Sequence, residues 1–302
     1  MSVAARLGGF ALILAIVFGA ASLAGAALDP SVEEDDGSHD ASEEEMGGHA
    51  TSPAGALPPG LAVSQDGYTL VPQETRFDAG AARFAFRIED ADGKTVRDFD
   101  TEHEREMHLI IVRRDFENFQ HLHPRRSADG TWVAEADLSE PGAYRAFADF
   151  AVGGESLTLG TDLSVAGTFD PKPLPAPESR ADAGDDYEVT IHSEPPTAGG
   201  VTPLTFEATR NGKPLGAVEP YLGADGHLVA LREHDLAFLH THPEGEAGGP
   251  GPIEFGVEYP TTGRYRLFLQ FKHRGEVRTA AFTQVVGTSA TATIEGDEHG
   301  DD

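Results

Sequence analysis

Short apolar runs separated by turn residues recur along residues 61–288. In the first half they are rich in β-branched and aromatic residues: YTLV, ARFAFRIED, KTVRDF, MHLIIVR, FQHLH, TWVAEADL, AYRAFADFAV and SLTLGTDLSVAG. In the second half the corresponding runs are YEVTIH, LTFEATRNGKPLG, GHLVALRE, AFLHTH, IEFGVEY, RYRLFLQF and VRTAAFTQVVG. Frequent short strands with Gly, Pro and Asp turns, and no long segment of helical period, predict an all-β fold of antiparallel sandwiches.

The two halves form a tandem repeat. MHLIIVRRDFENFQHLHP and GHLVALREHDLAFLHTHP align without a gap at an offset of 119 residues, from His108 to His227. AYRAFADF and RYRLFLQF follow at an offset of 121 residues, from Tyr144 to Tyr265. A register this constant indicates a duplication. We therefore predict two immunoglobulin-like β-sandwich domains, over residues 61–168 and 183–288.

The segments outside these domains have other compositions. A charge-free apolar run follows Arg6, which predicts that residues 1–27 are a signal peptide or membrane anchor and that the rest is secreted or anchored outside the cytoplasm. Residues 28–60 are acidic and then rich in Gly, Pro, Ser and Ala, a composition typical of a disordered tether. Residues 169–182 are predicted to be a semi-rigid, proline-rich linker, and residues 289–302 an acidic, disordered tail. Membrane contact is expected only through the N-terminal segment.

Charge and cysteine content exclude several functions. The chain has 22 Lys and Arg against 51 Asp and Glu, a net charge of −29, which excludes nucleic acid as a default partner and attracts cations. Because there is no cysteine, disulfides, thiolate nucleophiles and Cys-ligated zinc are excluded, and a metal site would need His, carboxylate, Met or backbone ligands. No phosphate-binding glycine loop, nucleophile elbow or HExxH helix is present, so we expect a non-enzymatic protein.

Histidines supply the candidate chemistry, because each repeat contains a His-x-His-Pro element and one earlier histidine. These equivalent residues are His108, His121 and His123 in the first repeat, and His227, His240 and His242 in the second. Residues i and i+2 of a strand share a face, so His121 and His123 project together. A hairpin that pairs Arg113 with Asn118 would place His108 opposite His123 on that face. The pattern therefore predicts that three imidazoles converge in each domain.

An acidic residue also recurs beside each set. Glu106 and Asp225 precede the first histidine by two residues, which places a carboxylate on the same side of the strand. Three histidines with one carboxylate or water form a coordination set for zinc or copper ions. Met107 could add a thioether for Cu(I), but its counterpart is Gly226, so thioether ligation is not shared. We predict one copper or zinc site per domain, with metal ions and a protein of the cell envelope as partners.

Two alternatives remain open. The predicted histidine face also carries Ile110, Val112 and Phe119, so the histidines could pack without metal in a cell-surface structural or interaction module. A zinc-dependent hydrolase is also conceivable, since a three-His zinc ion with an open position can activate water, but it would need a cleft beside the cluster.

Other residues are assigned to packing or to the surface. Tyr144 and Tyr265 are predicted to be the hydrogen-bonded corner residues of a sandwich, and Trp132 is predicted to pack. The histidines without an equivalent in the other repeat are predicted to lie on the surface: His103, His192, His234 and His273.

The motifs MHLIIVRRDFENFQHLHP, AYRAFADF, PYLGADGHLVALREHDLAFLHTHP and RYRLFLQF resemble those of exported actinobacterial proteins, some of them described as secreted or heavy-metal-binding-domain proteins. The repeats are similar to the immunoglobulin-like sandwich of YtkA-like domains. The resemblance covers residues 61–288 and implies tandem sandwiches outside the cytoplasm. A short Cys- or Met-based heavy-metal motif is absent, so the metal prediction depends on the histidines.

Overall fold

The structure is a computed structural model that describes residues 57–239, 241–244 and 248–288. These residues belong to one compact unit, which begins at Pro53. They form strands and no helix, which confirms the all-β prediction. Within the same residues, no helix is long and apolar enough to cross a membrane. The predicted N-terminal segment, most of the tether and all of the tail lie outside the described residues.

The described residues of each domain form ten strands. The strands of the first domain are β1 (Ser64–Gln65), β2 (Tyr68–Pro72), β3 (Arg76–Phe77), β4 (Gly80–Glu89), β5 (His108–Arg113), β6 (Gln120–Leu122), β7 (Arg125–Arg126), β8 (Trp132–Leu138), β9 (Gly142–Val152) and β10 (Glu155–Val165). Those of the second domain are β11 (Arg180–Asp182), β12 (Tyr187–His192), β13 (Val201–Arg210), β14 (Lys213–Pro214), β15 (Gly226–Arg232), β16 (Phe238–Leu239), β17 (His242–Glu244), β18 (Ile253–Glu258), β19 (Gly263–His273) and β20 (Glu276–Val286).

The strand order is that of an immunoglobulin-like sandwich in both domains. One sheet of the first domain has the order β1-β2-β4-β8-β7 and the other β3-β10-β9-β5-β6. In the second domain the orders are β11-β12-β13-β18-β17, with β14 beside β13, and β16-β15-β19-β20. Taken in chain order, the sheets of both domains contain the A-B-E-D and G-F-C arrangement. The further strands are β6 and β16 beside strand C, β1 and β11 beside strand A, β3 beside strand G and β14 beside strand B.

The predicted tyrosine corners are confirmed. Tyr144 donates a hydrogen bond from its hydroxyl to Glu140 O at 2.7 Å, and Tyr265 does the same to Thr261 O at 2.9 Å. Both rings are fully buried at the start of β9 and β19. Each tyrosine therefore fixes the turn that leads into the central strand of the sheet that carries the histidines.

The β5–β6 hairpin has the register that the sequence predicts. Leu109 lies opposite Leu122, Ile110 opposite His121, and Ile111 opposite Gln120. Continuing this register by one residue in each direction brings His108 opposite His123.

Strand β5 is buried on both faces. Leu109 and Ile111 point into the core of the first domain, whereas Ile110 and Val112 point away from it into a separate apolar cluster. This cluster lies between the two domains and contains buried residues of both: Ile110, Val112, Phe116, Phe147, Val229, Leu231, Leu236, Phe238 and Phe268. The outer faces of the two histidine-carrying sheets therefore pack against each other.

The interface has approximate two-fold symmetry, because equivalent residues exchange contacts. Phe119 stacks on Phe268 with ring centroids 4.0 Å apart and planes inclined by 6°. The equivalent pair in the opposite sense, Phe238 and Phe147, has centroids 5.5 Å apart. Reciprocal contacts of this kind define an isologous interface, here between two halves of one chain.

The segments that precede each domain also contribute to the interface. In the first, Arg145 donates to Gly60 O, and Phe238 donates its backbone N–H to Pro59 O at 2.9 Å. Gly60 has a φ of +75°, and a Cβ there would lie 2.6 Å from the Phe147 ring. In the linker, Leu174 packs against the interdomain cluster and its carbonyl accepts from Arg264 at 3.0 Å. The end of the predicted tether is thus ordered by packing.

Two predicted boundaries need correction. The run KTVRDF was expected to be a strand, but Thr95 makes only an isolated bridge to Glu89. Its apolar residues Val96 and Phe99 instead pack against the core from a loop, and the Phe99 ring meets the buried Trp132 edge-on at 5.3 Å. The linker ends in a strand, β11, rather than continuing as a spacer to residue 182.

Candidate functional site

The three histidines of the first domain meet on the face of the β5–β6 hairpin that points toward the second domain. Their ring centroids are 5.2 Å apart for His108 and His121, 5.2 Å for His108 and His123, and 5.0 Å for His121 and His123. One ring nitrogen from each lies within 4.8 Å of the other two. The structure therefore brings together the first trio that the sequence pattern predicts.

Two of these rings have close polar contacts. Nδ1 of His108 lies 3.0 Å from Nε2 of His121, and Nε2 of His108 lies 3.2 Å from the carbonyl oxygen of Glu102. Nδ1 of His121 lies 2.7 Å from Oε1 of Gln270, a residue of β19 in the second domain. Nε2 of His123 is buried and has no hydrogen-bond partner.

A fourth imidazole comes from the second domain. The His227 ring centroid, at the start of β15, is 6.1 Å from that of His108 and 6.0 Å from that of His121. Its Nε2 is also buried without a hydrogen-bond partner. Tyr221 packs edge-on against the same ring, with centroids 5.5 Å apart.

His103 is a fifth member of the group, which the sequence reasoning missed. Its ring centroid is 5.1 Å from that of His227 and 6.2 Å from that of His108, so the prediction that it is a surface residue is wrong. His103 has a φ of +47° in a two-residue turn whose counterpart in the second repeat contains Leu222, with a φ of +56°. The shared turn geometry places residue 103 beside the cluster. Because the equivalent residue of the second repeat is a leucine, comparison of the repeats could not identify His103 as a member.

The predicted acidic residues have other partners. The Glu106 carboxylate forms an ion pair with Arg126 at 3.0 Å. Its oxygens are not part of the set of ligand atoms from the three histidines that lie within 4.8 Å of one another. Asp225 accepts a hydrogen bond from the backbone of Gly248 at 2.5 Å. Met107 is buried in the core of the first domain, on the opposite side of the strand from the histidines.

The second predicted trio is described only in part. His240 lies outside the described residues, and for His242 the structure describes only the backbone, which pairs with Gly256 at the start of β17. His227, the third member, faces the first domain's trio. A separate three-His site in the second domain therefore stays a prediction.

Burial keeps four of the clustered imidazoles neutral near pH 7: His108, His121, His123 and His227. It lowers the pKa of His123 to about 4 and that of His227 to about 3, and nearby imidazoles oppose protonation further. The pKa of His121 also lies well below its usual value, first because of burial and then because of His108 and His123. For His108, burial lowers the pKa and outweighs the opposing attraction of Asp149. Neutral imidazoles have a free lone pair, which is the form that binds metal ions.

A cavity of about 40 Å³ adjoins the rings of His103, His108, His121 and His227, and Asp149 lines it as well. A water molecule needs roughly 10–15 Å³ of such space, so an ion with a water ligand would fit. Pockets for organic ligands measure about 300–1,000 Å³. This cavity is smaller than such pockets.

Comparisons with known proteins identify the repeat. A family model described as "Domain of unknown function (DUF8832)" matches residues 62–167 and again residues 181–288. No curated protein is significantly similar to the chain in sequence. The resemblance to actinobacterial proteins with YtkA-like domains is not supported by these matches.

Solved structures that match the chain include a bacterial adhesin and tandem domains of titin. The Escherichia coli adhesin FdeC is 14% identical with a TM-score of 0.25, covering 75% of this chain and 66% of that one. Yersinia pseudotuberculosis InvD is 15% identical with a TM-score of 0.25, covering 76% and 61%. The titin tandem domains A164-A165 are 10% identical with a TM-score of 0.20, covering 73% and 97%. This chain thus spans less than two thirds of FdeC and InvD, and the fold assignment rests on strand order.

Proposed function

The chain belongs to the DUF8832 family, whose description assigns no activity, and from the geometry of its histidines we propose that it is a non-enzymatic, extracytoplasmic binding module that holds a zinc or copper ion. The location follows from the predicted signal peptide or anchor. The proposed metal binding rests on one observation, the 3.0 Å distance between Nδ1 of His108 and Nε2 of His121.

These two rings point unprotonated nitrogens at each other. A carbonyl oxygen can only accept, so the contact to Glu102 O places the hydrogen of His108 on Nε2. In the structure the Gln270 amide nitrogen contacts Thr279 Oγ1 and its oxygen contacts Nδ1 of His121, and this orientation of the amide places the hydrogen of His121 on Nδ1. In the neutral rings, Nδ1 of His108 and Nε2 of His121 then carry lone pairs only 3.0 Å apart. A cation between them would convert this repulsion into coordination.

The spacing of the rings fits a tetrahedral ion. With metal–nitrogen distances of about 2.0–2.1 Å, neighbouring ligand nitrogens are about 3.3 Å apart and imidazole centroids about 5.2 Å apart. The three observed centroid distances are 5.0 to 5.2 Å. Metal-bound histidines also commonly donate their outer N–H to a carbonyl or carboxylate, as His108 and His121 do here. The unpartnered Nε2 of His123 would be the third ligand.

The ligand set favours borderline divalent ions. Imidazole suits zinc, copper and nickel, whereas thiolate and thioether ligands select Cu(I). The chain has no cysteine, and Met107 is buried away from the cluster. Zn(II) and Cu(II) are therefore the ions to test first.

The test is calorimetric titration of the chain with Zn(II) and with Cu(II). We expect tight binding that weakens at least roughly 100-fold when His121→Ala and His123→Ala are combined, because even outer-shell changes cost 10–100-fold. The matched control combines His192→Ala with His234→Ala, since both side chains are exposed. Equal affinities of the wild type and the cluster variant would refute the proposal, as would no binding by the wild type.

A second candidate function is a cell-surface interaction module in which the cluster only packs. It is favoured by the interdomain apolar cluster and by the His121–Gln270 contact, which join the domains without an ion. In that case a chelator leaves thermal stability unchanged, whereas an ion bound only by the folded chain raises it. Melting with and without EDTA, after loading with Zn(II), separates the two functions.

A further inference from the structure

The histidine cluster is not confined to one domain. Gln270, on β19 of the second domain, accepts the outer N–H of His121 at 2.7 Å. His227, on β15 of the same domain, lies beside His108 and His121 and borders the same cavity. The second domain thus contacts two of the three predicted ligands.

The approximate two-fold symmetry of the interface explains this meeting. His108 and His227 are equivalent residues, each at the start of the strand that packs across the interface. Their rings are nearly parallel, with an interplanar angle of 27° and centroids 6.1 Å apart. Equivalent residues approach each other only near the symmetry axis, so the cluster of the first domain and His227 of the second share one place in the molecule.

We infer, on the basis of the proposed metal binding, that His227 is the fourth ligand of a single site that joins the two domains. Among the acidic residues predicted as ligands, Glu106 pairs with Arg126 and Asp225 with the backbone of Gly248. His227, in contrast, has a buried Nε2 with no hydrogen-bond partner.

The required movement is small. Tetrahedral coordination places imidazole centroids about 5.2 Å apart, whereas His227 is 6.0 Å from His121 and 6.1 Å from His108. His227 does not belong to the group whose ligand nitrogens lie within 4.8 Å of one another, but an approach of about 1 Å would bring its ring to the tetrahedral spacing from His108 and His121. The site would hold one ion per chain, of the Zn(II) or Cu(II) class, in place of one ion per domain.

The experiment measures both stoichiometry and affinity for Zn(II) in the whole chain. We expect one equivalent, and a Kd at least roughly tenfold weaker in His227→Ala, because removal of one ligand should cost no less than an outer-shell change. The matched control is His234→Ala, an exposed histidine of the same domain, which should bind as the wild type does. His227→Gln with circular dichroism in EDTA provides a folded variant in case His227→Ala loses structure.

Substitution with Co(II) adds a readout that a merely structural role would not change. Loss of one imidazole from a four-nitrogen site should alter the visible absorption of the bound Co(II) in His227→Gln. One equivalent with an unchanged Kd and spectrum in the His227 variants would overturn the inference and leave the proposed function standing. Two equivalents, of which His227→Ala removes one, would also overturn it and support one site per domain. If the wild type bound no metal, the proposed function itself would be refuted, and this inference would be refuted with it.

Discussion

Acidification is expected to destabilise the metal-free chain, and His227 is the residue on which this can be calculated. Burial lowers its pKa to about 3, so the folded chain holds the ring neutral while the unfolded chain protonates it below about pH 6.5. Between these two values the unfolded state binds more protons. The free energy of unfolding must therefore rise with pH across this range and fall as the solution is acidified.

The size of the effect follows from the shift. Each pKa unit corresponds to about 1.4 kcal/mol, so at about pH 4 a neutral His227 would cost the folded state about 3 kcal/mol relative to neutral pH. Because the neighbouring imidazoles titrate together with His227, part of this penalty is shared, and about 2–3 kcal/mol is expected for His227 itself. His123 acts in the same direction but adds less, because its pKa is lowered only to about 4.

The assay is urea unfolding in EDTA at about pH 7.5 and about pH 4, for the wild type and for His227→Gln. The wild type should lose about 2–3 kcal/mol more than the variant over this interval. Comparing differences removes the contribution of the many carboxylates, whose protonation affects both proteins equally. His234→Gln, which changes an exposed ring, should follow the wild type. If the wild type and His227→Gln lost stability in parallel, His227 would not be held neutral by the fold.

Three further substitutions test the interface, the metal site and the sandwich. Phe268→Ala removes the ring that stacks on Phe119 and should lower the free energy of unfolding by about 3–5 kcal/mol, measured by urea unfolding; a cost under about 1 kcal/mol would contradict a packed interdomain core. Gln270→Leu removes the acceptor for the outer N–H of His121 and should weaken Zn(II) binding about 10–100-fold by calorimetry; an unchanged Kd would show that the second domain does not support the site. Tyr144→Phe deletes the corner hydrogen bond and should cost about 1 kcal/mol in thermal or urea unfolding, with no effect on Zn(II) affinity; loss of metal binding would contradict a local role.

The hairpin that carries the histidines could be predicted because its register follows from the sequence. Ile110 opposite His121 is the pairing that the Arg113–Asn118 turn implies, and a slip by one residue would have moved every side chain to the other face. The tyrosine corners were predictable for a similar reason, since Tyr144 and Tyr265 occupy fixed places in a known sandwich. Local pairing rules therefore specify the trio.

The partner of the histidine face could not be predicted. Ile110 and Val112 alternate with Leu109 and Ile111, so β5 reads as a strand buried on both faces, but the pattern does not say what covers the second face. The structure shows that the other domain covers it. His103 was missed because its position depends on a turn with positive φ and on that same docking.

The repeated motif predicts one site in each domain, whereas the structure places the equivalent residues His108 and His227 beside each other. Two copies of a histidine cluster in separate domains would form two sites, but here the trio of the first domain and His227 of the second lie on the faces through which the domains dock. At such an interface His108 and His227 meet near the axis, and the residues around them can diverge, because each occurs only once at the composite site. Asp149 and Gln270 are equivalent residues that have diverged in this way. Asp149 accepts a hydrogen bond from Thr158, and Gln270 donates one to Thr279, each on the neighbouring strand. Only Gln270 contacts His121. The proposed site would be asymmetric and would use residues of both domains, which would give the tandem arrangement a role in metal binding.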